Sequence, residues 1–424
     1  VSTLDPADPK TWSKQLVPEL RDIPLARFRA ELLLIFNGSQ PSTREPSSWP
    51  FVSDVIATTS NFVADGSDAT GFRIRLTDSG GKAPKDVAYL VKLDDEYLVR
   101  GLAGSAASSD EAFARVQKDD LTGARQWLDW ANDELPRTNA PDPMAIPAFQ
   151  RLWPPKPGAS PEFVKAAAAV VAARGKNYEP AVLVLGKLRE GATDPELQTA
   201  LDQGLAQALL QHGKYADAVP ALERLRTKWP SSELLTYNLA QAFTYSNRFN
   251  EASALIEPLE RSELTGLQSL RLREQLFAQQ GKFKEAALLQ AKICMNLKAA
   301  AYDWNDLAWI YLVAPGDPKA MRDAAVKAAQ MTGGGNISVL QTLAVVQAST
   351  GLIQEARANA YLILGLGGET DELYTIFGRI DEELDLRDPA TDYYQRIKKP
   401  DAGSTLSNYA FAQMRLKEMA LRKQ

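Results

Sequence analysis

Histidine and cysteine are nearly missing from this chain of 424 residues, which has only His212 and Cys294. Counting alone therefore excludes a zinc site built from Cys and His, a disulfide within the chain, and any arrangement needing two histidines. An excess of positive charge is also lacking. Lys and Arg number 48 against 53 Asp and Glu, with 18 against 22 up to residue 160 and 30 against 31 beyond it. Neither part is basic, so attraction to nucleic acid or anionic lipid is weak and no nucleic-acid partner is expected. Long apolar runs are absent too: nothing approaches the roughly 18 residues of a membrane span. The start, VSTLDPADPK, has no basic region followed by an apolar one. The expectation is a soluble protein without membrane insertion, periplasmic, secreted or cytoplasmic, since one thiol suits all three. A chain opening on Val1 is expected to be a mature form or a fragment of something longer.

What remains is ordinary in composition, 45% hydrophobic and 24% charged, at a length that implies two or more folded units. The informative feature is self-similarity. Ala218, Ala252 and Ala286 are spaced by 34 residues, as are Ala356 and Ala390. Five positions ahead of the first three alanines lie the turn residues Gly213, Asn247 and Gly281, and three ahead lie Tyr215, Phe249 and Phe283. Upstream, Leu205-Ala206 and Leu239-Ala240 open a first helix, with Leu209, Phe243 and Phe277 one turn later. Two antiparallel helices of about a dozen residues and two short turns fill such a period, and small residues let the helices approach closely.

On these positions the stretch QGLAQALLQHGKYADAVPALERLRTKWP resembles the tetratricopeptide repeat. The resemblance implies a right-handed, mainly α helix-turn-helix solenoid, with repeats at 199–232, 233–266 and 267–300. Further copies are expected at Tyr302–Gly335, with a lengthened turn, at Ile337–Gly367, at Glu372–Lys398, and upstream at Glu162–Arg189. Ser404–Arg422 reads as a polar-faced capping helix. Pro258 should bend or end the helix that carries it.

The chain divides on this reading into an N-terminal α+β region at 1–135, a Pro-rich linker or docked arm at 136–161, repeats at 162–403 and a cap at 404–424. GFRIRLTDS and DVAYLVKLDDEYLVRGLAG alternate apolar and polar residues, predicting two or three antiparallel strands with turns at Gly80-Gly81 and Asp94-Asp95. Residues 109–135 predict a repeat-like helical pair around Ala112, Ala124, Leu128 and Ala131, and Ile23–Phe36 reads as a helix or a strand. Eight prolines fall within 136–161, where Phe149, Leu152 and Trp153 suggest a docked arm.

Chemistry is scarce. His212 is expected as a solvated turn residue and Cys294 as an inert, buried or half-buried thiol. Gly333-Gly334-Gly335 and the glycines at 365, 367 and 368 lack the Lys-Ser/Thr of a phosphate loop and read as helix terminators. Asp94-Asp95-Glu96 and Asp119-Asp120 read as turn residues. No catalytic residue, metal ligand or cofactor is assigned, and a non-enzymatic protein- or peptide-binding scaffold, monomeric, is expected.

The resemblance implies that a partner is held on the concave face, by the first helix of each repeat. Carried over repeat by repeat, this face presents Gln203, Gln207, Tyr237, Gln241, Arg271, Gln275, Asn305, Trp309 and Gln341. One arginine does not make the basic clamp of carboxylate-binding members, and an asparagine ladder would have only Asn238. The groove is suited to a neutral or mixed-polarity ligand, or is covered by the chain's own N-terminal region. An alternative is a non-catalytic accessory region of a larger bacterial transglutaminase-like or peptidase-like protein, which TIFGRIDEELDLRDPATDYYQRI and STLSNYAFAQMRLKEM resemble at its C-terminal end.

Overall fold

The computed structural model describes residues 60–134 and 158–421, apart from short breaks at 79–84, 94–95, 103–104, 174, 315, 368–369 and 400–405. The expectations for Ile23–Phe36, for turns at Gly80-Gly81 and Asp94-Asp95, and for the Pro-rich arm up to residue 157 lie outside the described residues. The fold is mainly α, a tetratricopeptide-like array of helix pairs preceded by a four-stranded antiparallel sheet. It divides into two compact units, Val1–His212 and Gly213–Gln424.

In the first unit, β1 (Ser60–Ser67), β2 (Gly71–Asp78), β3 (Lys85–Leu93) and β4 (Glu96–Leu102) form a meander in chain order. The second and third strands match the sequence pattern, and DVAYLVKLDDEYLVRGLAG supplies both β3 and β4. Strand β1 was not foreseen, because SNFVADGS has few β-branched or aromatic residues. It is recruited by pairing, with Ser67 opposite Gly71 across a tight turn.

Tyr89, Val91 and Leu98 bury one sheet face against α1 (Ser105–Gln117), α2 (Leu121–Glu134) and α3 (Pro161–Ala172). The anchor is Trp127, fully buried, whose Nε1 donates to the Thr70 carbonyl at 2.6 Å while its ring meets Tyr89 and Trp130 at 5.2 and 5.0 Å. The sheet is thus fastened to the helices of its own unit. Ala112, Ala124, Leu128 and Ala131 are all buried, as the predicted repeat-like pair requires. Helices α4 (Tyr178–Gly191) and α5 (Pro195–Gln211) complete the unit. Gly204 of α5 faces α3 so closely that a Cβ there would stand 2.4 Å from Cγ2 of Val170.

The second unit holds α6 (Tyr215–Lys228), α7 (Glu233–Tyr245), α8 (Phe249–Leu259), α9 (Gly266–Gln279), α10 (Phe283–Cys294), α11 (Ala301–Val313), α12 (Pro318–Met331), α13 (Ile337–Ser349), α14 (Ile353–Gly367), α15 (Asp371–Glu383), α16 (Arg387–Arg396) and α17 (Asn408–Leu421). Their ends follow from local chemistry. Ser232, Asp317 and Asn336 cap helix N-termini with side-chain oxygens, and Pro318 sits in a first turn where its missing N–H costs nothing. Pro258 is the second-last residue of α8, so it ends that helix.

Four of the turns inside the pairs share one device, the lengthened α11–α12 turn being the exception. Asn247, Gly281, Gly351 and Asp385 all have φ between 56° and 80°, in the left-handed region. In each, the next residue's N–H then reaches back to a carbonyl of the helix just ended, as Lys282 does to Phe277 at 2.9 Å. Asp385 makes the same turn between α15 and α16, because Asp tolerates this conformation nearly as Asn does. Gly333 and Gly334 end α12 in the same way, as helix terminators.

The alanines at 218, 252, 286, 356 and 390 are fully buried. A small residue is also required on α15, where a Cβ on Gly378 would lie 2.7 Å from the Tyr394 ring of α16. Gly378→Val should therefore lower unfolding free energy by about 1–3 kcal/mol through overpacking, read from the midpoint of a urea titration at constant slope.

Candidate functional site

The first helices of four successive pairs, α7, α9, α11 and α13, together line a cavity of about 420 Å³ within the second unit. Tyr245 comes from α7, Glu274 and Gln275 from α9, Asn305, Asp306 and Trp309 from α11, and Gln341 and Thr342 from α13. The wall is completed by Leu406, Ser407 and Asn408, the lead into α17.

Of the nine expected partner-binding residues, Gln275, Asn305, Trp309 and Gln341 converge here. The Gln275 carbonyl oxygen accepts from the Tyr245 hydroxyl at 2.7 Å. Trp309 and Gln341 are spoken for by the chain itself: Trp309 Nε1 donates to the Leu406 carbonyl at 2.7 Å, and Gln341 Nε2 donates to Asn408 Oδ1. Arg271 is committed too. Its Nε and Nη2 both bond the Asp303 carboxylate at 2.7 Å, and the guanidinium lies 4.7 Å from the Tyr302 ring centroid, tying α9 to α11. Tyr237 and Gln241 are half-buried on α7, outside the cavity wall. In the first unit, Gln203 is buried with neither end of its amide hydrogen-bonded, and Gln207 is half-buried on the same helix.

Cover for the cavity comes from the C-terminal side. Helix α17 packs on the last pair and reaches beyond it: Phe411, Ala412 and Met419 are buried in one cluster with Ile376 and Tyr394 of that pair and with Trp309 and Leu340. Arg415 fixes the helix electrostatically through Glu382, to which Nε donates at 3.0 Å, while the Tyr394 hydroxyl donates to the same carboxylate at 3.1 Å. Burial alone would raise the Glu382 pKa, but hydrogen bonding from Arg415 and the charges of Arg379 and Arg415 hold it below the usual carboxylate range.

Glu274 presents the opposite case and was missed in the sequence. It is only 4% exposed and its Oε1 has no hydrogen-bond partner. Burial, with the charge of Asp306 a smaller cause, pushes its pKa up to about 8. Asp306 is itself raised to about 6 by burial, against a hydrogen bond from Asn305. The signal was present in the repeat alignment. The corresponding positions carry Ala206, Ala240, Ala308, Ala344 and Gly378, so Glu274 alone breaks a rule of small residues.

Cys294 is buried; its Sγ donates to the Asp303 carbonyl at 3.3 Å, and burial pushes the thiol up to about 12, leaving no thiolate at neutral pH. His212 is exposed but not merely solvated: Nε2 lies 3.0 Å from the Ala173 carbonyl and the ring stacks on Tyr178 at 3.7 Å. Among the described residues no group of three or more His, Cys, Asp or Glu could hold a metal ion, and no helix is long and apolar enough to cross a membrane.

A tetratricopeptide-repeat family profile matches residues 209–266. Solved structures resembling the chain include that of Pseudomonas aeruginosa pilF, 19% identical, covering 50% of this chain and 94% of the other with TM-score 0.37. Human IFIT1, solved as a dimer with m7Gppp-AAAA, is 14% identical over 76% of this chain and 82% of its own, TM-score 0.42. NprR in complex with its cognate peptide NprX is 14% identical over 75% of this chain and 97% of its own, TM-score 0.38. No curated protein matches. These matches concern helical repeats, and none links the chain to a transglutaminase-like domain.

Two outcomes follow. Between the ordinary glutamate value of 4.5 and about 8, folded Glu274 keeps a proton that the unfolded chain has released. Stability should therefore fall as pH rises through that window, by a few kcal/mol if the whole shift is realised. Glu274→Gln should match wild type in melting temperature near pH 4.5 and exceed it at pH 8. Trp309→Phe, which loses the bond to Leu406, should raise amide hydrogen exchange selectively over residues 406–421.

Proposed function

We propose that the second unit is a non-enzymatic scaffold that binds a protein or peptide on the face formed by α7, α9, α11 and α13. The observation that carries this reading is the cavity itself, where amide, hydroxyl and carboxyl groups from four successive first helices converge beside the Trp309 ring. Side chains of this kind recognise backbone and polar side chains without imposing charge of one sign. The Asp306 carboxylate in the lining, ionised at neutral pH, favours a peptide over the phosphates of a nucleic acid. The tied-up thiol of Cys294 supplies no nucleophile.

Gln275, Asn305, Trp309 and Gln341 are proposed as the partner-facing set, with Leu406–Asn408 sharing the same surface. Arg271 serves the α9–α11 contact on this reading. The other expected positions, Gln203, Gln207, Tyr237 and Gln241, have no assigned role at the cavity.

The test is an affinity capture with wild type and a Gln275→Ala, Asn305→Ala double variant, its fold checked by circular dichroism. A partner retained by wild type and reduced at least about tenfold with the variant supports the cavity as the binding surface. Equal retention would place binding elsewhere.

A further inference from the structure

We propose that the cavity is a recognition pocket for an organic cation, the guanidinium or ammonium end of a side chain on a bound peptide. In taking the cation to be carried by a peptide, the proposal rests on the scaffold reading. The pocket's preference for a cation rests on its own geometry.

An acid at position 274 replaces the small residue found at the same place in the other repeats, and it does so at a buried position, 4% exposed. Burying a carboxyl group without a hydrogen-bond partner is costly, and burying its charge far more so. The cavity nevertheless holds the unpartnered Oε1 of Glu274 and, from the next first helix, the equally unpartnered Oδ1 of Asn305. Asp306 adds a second carboxylate. The unpartnered buried side-chain atoms among the cavity residues are thus both oxygens, the inverse of an anion site.

The protein's own nearby cations do not answer this demand. Arg271 is engaged by Asp303, and Arg273 by Glu260. An incoming guanidinium or ammonium offers several N–H donors on one positive group, and the Trp309 ring forms part of the wall it would enter. The volume of about 420 Å³ accommodates such a head group with part of its stem. A metal ion is a poorer fit, because the described acids form no group of three able to hold one.

Protonation links to this occupancy. The ionisable and charged groups facing the pair are Tyr245 from α7, Arg271 from α9, Cys294 from α10, and Tyr302 and Asp303 from α11; the cavity residues of α13 and of 406–408 carry none. Tyr245 and Cys294 are both raised, so they stay neutral around pH 7. Glu274 and Asp306 are the groups that change charge between pH 5 and 9, and a bound cation displaces their protons.

The experiment is isothermal titration calorimetry of the whole chain with N-acetyl-arginine amide, N-acetyl-lysine amide and the neutral N-acetyl-citrulline amide, at pH 6 and pH 8.5. Expected is at least about tenfold tighter binding of one or both cationic amides than of citrulline at pH 8.5, weaker at pH 6, with protons released on binding. The two cationic arms report which head group the pocket prefers. Glu274→Gln, which should fold at least as stably as wild type, should lose about tenfold, and Asp306→Asn likewise. Equal binding of citrulline, an unchanged Glu274→Gln, or no heat from either cation at 20 mM would overturn the proposal. A partner captured equally by wild type and Glu274→Gln, yet lost with the Gln275→Ala, Asn305→Ala variant, would leave the scaffold reading standing and the cation pocket refuted. Cation binding without any captured partner would do the reverse.

Discussion

Close approach of paired helices is the constraint on which the structure depends. It is met by removing side-chain volume where two helices touch and by reversing the chain through a single left-handed residue. Gly378 lies against the Tyr394 ring, and Gly204 against Val170, with no room for a Cβ at either place. Asn247, Gly281, Gly351 and Asp385 then set where four of the second helices begin. Because these devices recur in register, each first helix presents the same positions to the same side, and four such helices assemble most of one cavity wall, which the segment leading into α17 completes.

Two buried glutamates show how differently one residue type is used within a unit. Glu382 is surrounded by Arg415, Arg379 and Tyr394, which hold it ionised and bind α17 to α15 and α16. Glu274 has no such company and is held neutral by its desolvated surroundings. The first is a satisfied structural network. The second is an incomplete one, and incomplete buried networks are retained where another molecule supplies the missing member or where stability is spared elsewhere.

Much of the fold was legible because its signals are local and periodic. The alanines at 218, 252 and 286 and the turn residues beside them state the helix pairs directly, and β2, β3 and β4 show their alternation. Strand β1 was hidden because its pairing with β2, more than its composition, makes it a strand. The site was legible by halves. Position within the repeat put Gln275, Asn305, Trp309 and Gln341 on one face, yet it could not show that Arg271 would be taken by Asp303 or that Leu406–Asn408 would return to the same face. Such contacts span long sequence separations and leave no periodic trace. Glu274 was visible as an exception, but only to a comparison across repeats of the positions that are usually small.

The bond from Trp309 to Leu406 joins residues 97 apart in sequence, which gives the cavity a history as well as a shape. During synthesis α7, α9 and α11 are complete well before Leu406 exists. At about 5–20 residues per second, roughly 5–20 s separate the two partners. Through that interval the Trp309 indole and the adjoining apolar surface are exposed on a nascent chain. Closure of this wall is therefore among the last events in the making of the fold.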